Sequence, residues 1–311
     1  MSTVRRTVKA SLMGSSFELG IVCKDDRQAQ NLLELAIGEI KRIESQLTEF
    51  RTDSLTSLLN ASAGGPGIKV SEEFMQLMQR CGHIHRLSQG YFDPTASVLK
   101  SLYTFEGKIA ALPTAAKLET SLKLVGFQKI RIDVDRSEIA LPEKGMRISF
   151  AAIGKGYAAD RVQMMWKKEN LIGGYVNASG DLSAFGTDEN GNPWTIGIAD
   201  PELEGSSLLH LPLSGKSIAT SGQTYQFFDC DGKRYSHNID PLTGKAVSGI
   251  KSVSVISPSA ELSDALATAI HAMGIKKGMA FANQLPATHT LIIDNNKHIH
   301  LSKNLDYAAT P

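Results

Sequence analysis

The chain has 311 residues, 42% hydrophobic and 21% charged, which is enough for a sizeable core in one large unit or two small ones. Lysine plus arginine number 33 against 32 for aspartate plus glutamate, a formal charge of +1, so no global field draws the chain to nucleic acid or to an anionic membrane. Cys23, Cys81 and Cys230 lie far apart with no paired spacing, which argues against a disulfide framework or a zinc knuckle and predicts three buried thiols.

The N-terminus carries Arg5, Arg6 and Lys9 without an apolar segment of signal-sequence length, and no run approaches a membrane span. A cytoplasmic location is expected, or a periplasmic one if a leader has been trimmed. Residues 4–22 alternate loosely and predict strand, bend near Met13 and strand. Over residues 28–49 the positions Leu32, Leu33, Leu35, Ala36, Ile40, Ile43 and Leu47 recur at helical spacing, as in a core-facing helix. A polar turn from Phe50 leads to a short helical turn ending at Asn60, and Gly64, Gly65, Pro66 and Gly67 break the chain. Ser71 and Glu73 open a helix through Phe74, Leu77, Met78 and Ile84 that ends near Gly90. Asp93 and Pro94 read as the capped start of a helix over residues 96–103, and residues 110–127 as another helix stopped by Gly126. Short strands follow at 130–134 and 138–141.

From Ile148 to Asp160 a strand passes through small residues and glycine into a helix, with Lys155 at the junction. Such a junction either cradles a phosphate or lets another helix pack closely, and the spacing is not that of a Walker loop. Strands are predicted over 173–178, with a turn at Ser179, Gly180 and Asp181, and over 194–199 and 208–218. Asp231 and Gly232 mark a hairpin between residues 226–228 and 233–235. A strand at 250–256, a helix over 261–273 stopped by Gly274, and strands near 288–293 and 298–301 complete the chain.

Asp264 and Thr268 are four apart in this last helix, so both oxygens share one face and can hold a hard divalent ion. They equally suit a helix cap and a hydroxyl bonded back to a carbonyl. His237 is the first candidate for a general base, with Asp240 three residues on to orient it. Asp240, Pro241, Thr243 and Gly244 also make a turn.

Taken together, residues 50–60, 90–95, 151–160, 177–186, 219–222, 236–244 and 264–268 resemble, in order, the motif series of the ApbE family, the FAD:protein FMN transferases. The resemblance runs from about Met13 to Gly274. It implies one α+β domain over residues 1–311, with a T-fold-like core of antiparallel sheet packed with helices, that binds FAD and Mg2+. Family members move the FMN half of FAD onto a threonine hydroxyl of a partner flavoprotein and leave AMP. The resemblance implies Asp264, Thr268 and the Ala152 carbonyl as metal ligands. It places Met13, Phe50, Tyr103 and Asn238 at the flavin, Lys155 near the phosphates, and Thr220, Ser221 and Gly222 beside the substrate. Two departures stand out. Ser149 occupies a nucleotide-site position where many members carry Asp, and Leu102, Tyr103, Thr104, Phe105, Glu106 and Gly107 replace a Trp-Gly-Phe-Gly type of run. FAD hydrolysis at the same metal site, and flavin binding without catalysis, remain open as alternatives.

Overall fold

The computed structural model describes residues 3–105, 111–199, 207–213, 215–222, 227–303 and 305. Strands β1 (Val4–Leu12) and β2 (Ser15–Cys23) form the predicted hairpin. Helix α1 (Asp26–Leu47) follows, capped by Asp25, whose carboxylate accepts from the N–H groups of Arg27 and Gln28. Next come α2 (Leu55–Ala61), the short strand β3 (Ile68–Lys69), α3 (Glu72–Leu87), α4 (Ser97–Lys100) and α5 (Ala115–Leu122). Strands β4 (Arg131–Asp133) and β5 (Glu138–Ala140) lead to α6 (Gly154–Trp166). A long β stretch then runs through β6 (Gly173–Ala178), β7 (Asp181–Gly186), β8 (Trp194–Ala199), β9 (Ser207–Leu213), β10 (Ser217–Gly222), β11 (Phe227–Cys230), β12 (Lys233–Ile239), β13 (Ala246–Ser248) and β14 (Ile250–Ser257). Helix α7 (Ala260–Ala282) and strands β15 (His289–Asp294) and β16 (Ile299–Leu301) close the order.

Eight strands join in the order β1-β2-β6-β7-β10-β14-β15-β16, and every neighbouring pair is antiparallel. One face carries Phe17, Leu19 and Ile21 into a core shared with Ala29, Leu33, Ala36, Ile40 and Ile43 of α1 and with Ala158, Val162 and Trp166 of α6. The opposite face offers Val22, Tyr175, Ile218 and Leu291 to Trp194, Ile198, Leu211 and Leu213 of the β8–β9 ribbon. This period-two division is what a sheet buried on both sides requires. Each fully buried Leu, Ile or Phe contributes about 1.5–3 kcal/mol. The three cysteines are free and buried, as expected. Among the described residues no helix is long and apolar enough to cross a membrane.

Several expected elements differ. No strand forms at Ile148. The Asn60 side chain takes the place of a neighbouring strand, its amide Nδ2 donating to the Ile148 carbonyl at 3.0 Å and its Oδ1 accepting the Ile148 N–H at 2.7 Å. The helix expected over 96–103 is a 3-10 turn at Pro94–Ala96 followed by one turn at α4. The helix expected over 110–127 shrinks to α5, and residue 110 lies outside the described residues, as do Glu106, Gly107 and Gln226. The run 208–218 divides into β9 and β10, which belong to different sheets. Gly274 does break the last helix, with φ 77° and ψ 171°, but the chain resumes helical structure to Ala282 because Ile275, Met279 and Phe281 pack on the core beneath β14 and β15.

The crossing of α6 and α7 fixes the interior. A Cβ on Gly156 would lie 2.3 Å from the Ala260 carbonyl oxygen, so only glycine lets the two backbones approach this closely. Gly156→Ala is therefore expected to lose about 1–3 kcal/mol of stability through overpacking. Gly38→Ala, exposed on α1 with nothing within 4 Å of the added Cβ, is expected to gain about 0.5–1 kcal/mol. Urea midpoints of the two variants read the contrast, and equal midpoints would contradict the close-approach account.

Candidate active site

At that crossing each helix caps the other. The Asp160 carboxylate of α6 accepts from the N–H groups of Ala260 and Glu261 at 2.9 Å each, and Asp264 Oδ2 of α7 accepts the Gly156 N–H at 3.3 Å. Asp264 is thus a cap, but of α6 and not of its own helix, which Ser259 and Asp160 begin. Of the two sequence readings of the 148–160 run, close packing is what the glycine serves, and the next-door Lys155 faces a cavity.

The cavity holds about 2050 Å³, well above the about 300–1,000 Å³ of an ordinary small-molecule site. Its wall includes Met13, Phe50, Ser149, Ala152, Lys155, Thr220, Ser221, Gly222, His237, Asn238, Asp264 and Thr268. The structure therefore gathers, from strands and helices more than 200 residues apart, most of the side chains singled out in the sequence. Met13 sits at the β1–β2 turn with its methyl group against Gly154, and Phe50 projects into solvent at the rim, 91% exposed. Ser149 donates to Glu49 Oε1 at 2.9 Å, so a carboxylate stands beside the position where the resemblance expects one. The Thr268 hydroxyl forms no hydrogen bond to the described residues, which removes the back-bonded reading and leaves its oxygen available.

Two expected residues are placed elsewhere. Tyr103 is buried in the core between α4 and the β11–β12–β13 sheet, stacked on Phe105 and Phe228. Its hydroxyl donates to the Gly244 carbonyl at 2.8 Å and accepts the Ala246 N–H at 3.2 Å, so neither its ring nor its oxygen is available to a ligand. Asp240 belongs to its own turn, Oδ1 accepting the Leu242 N–H at 2.9 Å and Oδ2 the Thr243 hydroxyl at 2.8 Å. It does not orient His237.

Two residues that the sequence reading passed over are central. Asp181, read as a turn residue, is buried; it pairs with the Lys155 ammonium and accepts the Thr220 N–H at 3.3 Å. His271, fully buried, continues the face of α7 that carries Asp264 and Thr268, and its 264, 268, 271 spacing is the signal that finds it. Burial, and then the nearby His237, push its pKa down to about 3.

Charge does not balance among the buried groups. Burial first, and then the Asp181 charge, push the Asp264 carboxyl up to about 7, and burial likewise raises Asp181 despite Lys155. Burial pulls the Lys155 ammonium down, but Asp264 and Asp181 outweigh it and the net direction is upward. Two carboxylates thus share one ammonium, an arrangement that a further cation relieves. Among the described residues no three His, Cys, Asp or Glu side chains gather as a metal cluster. The donors that remain, one carboxylate and one hydroxyl, suit a hard cation that keeps waters and substrate oxygens in its shell.

The sequence profile of the ApbE family matches residues 13–292. An FAD:protein FMN transferase of Klebsiella pneumoniae is 30% identical over 295 residues, covering 94% of this chain and 90% of that protein. The crystal structure of the ApbE protein of Thermotoga maritima superposes with a TM-score of 0.86 at 28% identity, covering 96% of this chain and 97% of that one. The apo flavinyl transferase ApbE of Pseudomonas stutzeri gives 0.86 at 26% identity, covering 97% and 96%. The α+β fold expected from the sequence is the fold of these structures.

The raised carboxyl makes a pH prediction. An acid whose folded pKa lies above its unfolded value, here about 7 against about 4, keeps its proton longer in the folded chain, so stability falls as pH rises through that window. With chelator present, Asp264→Asn should therefore gain on the parent chain between about pH 5 and pH 7.5. Urea midpoints at both pH values check this, and a constant difference would count against an uncompensated carboxylate.

Proposed function

Because the chain belongs to the ApbE family, we propose that it transfers the FMN moiety of FAD to a threonine hydroxyl of an acceptor flavoprotein, with Mg2+, and releases AMP. The observation that carries this reading is the convergence on one large cavity of His237, Lys155, Asp264 and Thr268, beside a buried charge imbalance.

In the proposed reaction the threonine oxygen bonds to the FMN phosphorus, and the bond from that phosphorus to the oxygen bridging to the AMP phosphate breaks. The hydroxyl proton passes to His237, whose imidazole stands in the cavity wall. Asp264, Thr268 and the Ala152 carbonyl would hold the Mg2+, and when bound the ion acts as a Lewis acid on the diphosphate. Lys155 is held in place by Asp181, so its ammonium is prepositioned for phosphate oxygens without reorganisation. Thr220 and Ser221 are fixed by Ser254 and Asn238, at 2.8 and 2.9 Å, and present the end of β10 to the substrate. Met13 and Phe50 supply apolar surface to the flavin. The cavity draws on elements from β1 to α7, which supports one catalytic unit over the chain.

Incubation with FAD, Mg2+ and an acceptor protein carrying a threonine flavinylation motif tests the reading. A fluorescent acceptor band and AMP should appear in equal amounts, and both should vanish with EDTA, with Asp264→Ala, or when the acceptor threonine is changed to valine. His237→Ala should slow transfer by about 10²–10⁴-fold, the worth of a general base. FMN and AMP without a labelled acceptor would instead mark a hydrolase, and no product from any acceptor would mark a flavin-binding module.

A further inference from the structure

The proposed chemistry leaves His271 without a role. The residue is fully buried on α7, and its Nε2 has no hydrogen-bond partner among the described residues, a condition that native interiors rarely keep without a reason. Its Nδ1 lies 3.1 Å from Asn238 Nδ2 and 3.3 Å from the Ser221 carbonyl oxygen. A neutral imidazole carries one N–H. Nδ1 therefore either accepts from the amide or donates to the carbonyl.

The surroundings of Asn238 favour the first. Its Nδ2 also donates to Ser221 Oγ at 2.9 Å and approaches Ser236 Oγ at 3.2 Å, so the amide nitrogen is enclosed by acceptors. A proton on Nδ1 would set N–H against N–H at the shorter of the two contacts. With Nδ1 as acceptor the ring proton sits on Nε2, a buried N–H with no acceptor among the described residues, and the contact to the Asn238 amide decides the tautomer in spite of that cost. Asn238 lines the cavity, and its Oδ1 makes no hydrogen bond to the described residues.

We propose that His271 is a positioning residue: as the Nε2-protonated tautomer it holds the Asn238 amide nitrogen inward, so that Asn238 Oδ1 faces the cavity as an acceptor for a heterocyclic imide N–H. This deepens the flavin-transfer reading and rests on it. An oxidised isoalloxazine has one ring N–H donor, the imide N3–H between two carbonyls, and Asn238 Oδ1 is complementary to it. An amide free to rotate would offer donor and acceptor alike and lose that preference.

Two measurements on the full chain test this. Selective histidine ¹⁵N NMR should find His271 with its proton on Nε2, and a proton on Nδ1 would overturn the proposal. In binding titrations the parent chain should prefer FAD over 3-methyl-FAD by at least about tenfold, the worth of one hydrogen bond. In His271→Phe that ratio should fall below about threefold while AMP binding stays within about twofold, as should the ratio in Asn238→Ala. A packing role alone would weaken both flavins together and leave the ratio unchanged, which contradicts the proposal, as does a parent ratio near one. A parent chain that binds neither flavin would sink the flavin reading itself.

Discussion

The site depends on two helices that begin against each other. Asp160 on α6 closes the first turn of α7, and Asp264 on α7 closes the first turn of α6. Each exposed helix N-terminus carries partial positive charge that a carboxylate neutralises. The exchange works only at close range, and Gly156 against the Ala260 carbonyl supplies that range. Because Asp264 is held by this contact, its second oxygen and the Thr268 hydroxyl one turn on become fixed features of the cavity wall.

The sheet supplies what the helix pair lacks. β7 brings Asp181 to Lys155, and β10 ends beside both with Thr220, whose N–H Asp181 also holds. β12 brings His237 and Asn238 across from α7. The β11–β12–β13 sheet stays in position because Tyr103, Phe228 and Tyr235 stack behind it, and the Tyr103 hydroxyl ties it to Gly244 and Ala246. Tyr103 therefore packs behind the sheet whose strand β12 carries His237, in place of the flavin contact that the resemblance implied.

What could be read from the sequence was local. The β1–β2 hairpin, α1 and α3, the Asp231–Gly232 turn and the start of α7 are written in periodicity and capping residues, and the structure has them. The i, i+4 pair of Asp264 and Thr268 likewise shares one wall of the cavity. Contacts distant along the chain left no such mark. Asn60 imitates a strand for Ile148, 88 residues away, and Lys155 finds Asp181 26 residues on. The second half of α7 was hidden because a glycine at positive φ is the usual sign of a helix end, whereas here packing restarts the helix. Asp240 misled for the opposite reason: its spacing from His237 was suggestive, but a carboxylate followed by proline and threonine satisfies itself in its own turn.

The site holds a buried carboxylate that a single ammonium does not neutralise. Titration of Mg2+ into the protein, by calorimetry near pH 6.5 in buffers of different ionisation enthalpy, measures this directly, because a cation that binds a partly protonated carboxyl must displace its proton. Saturable binding is expected, with proton release that Asp264→Asn eliminates. Binding with no proton release, or release unchanged in that variant, would contradict it.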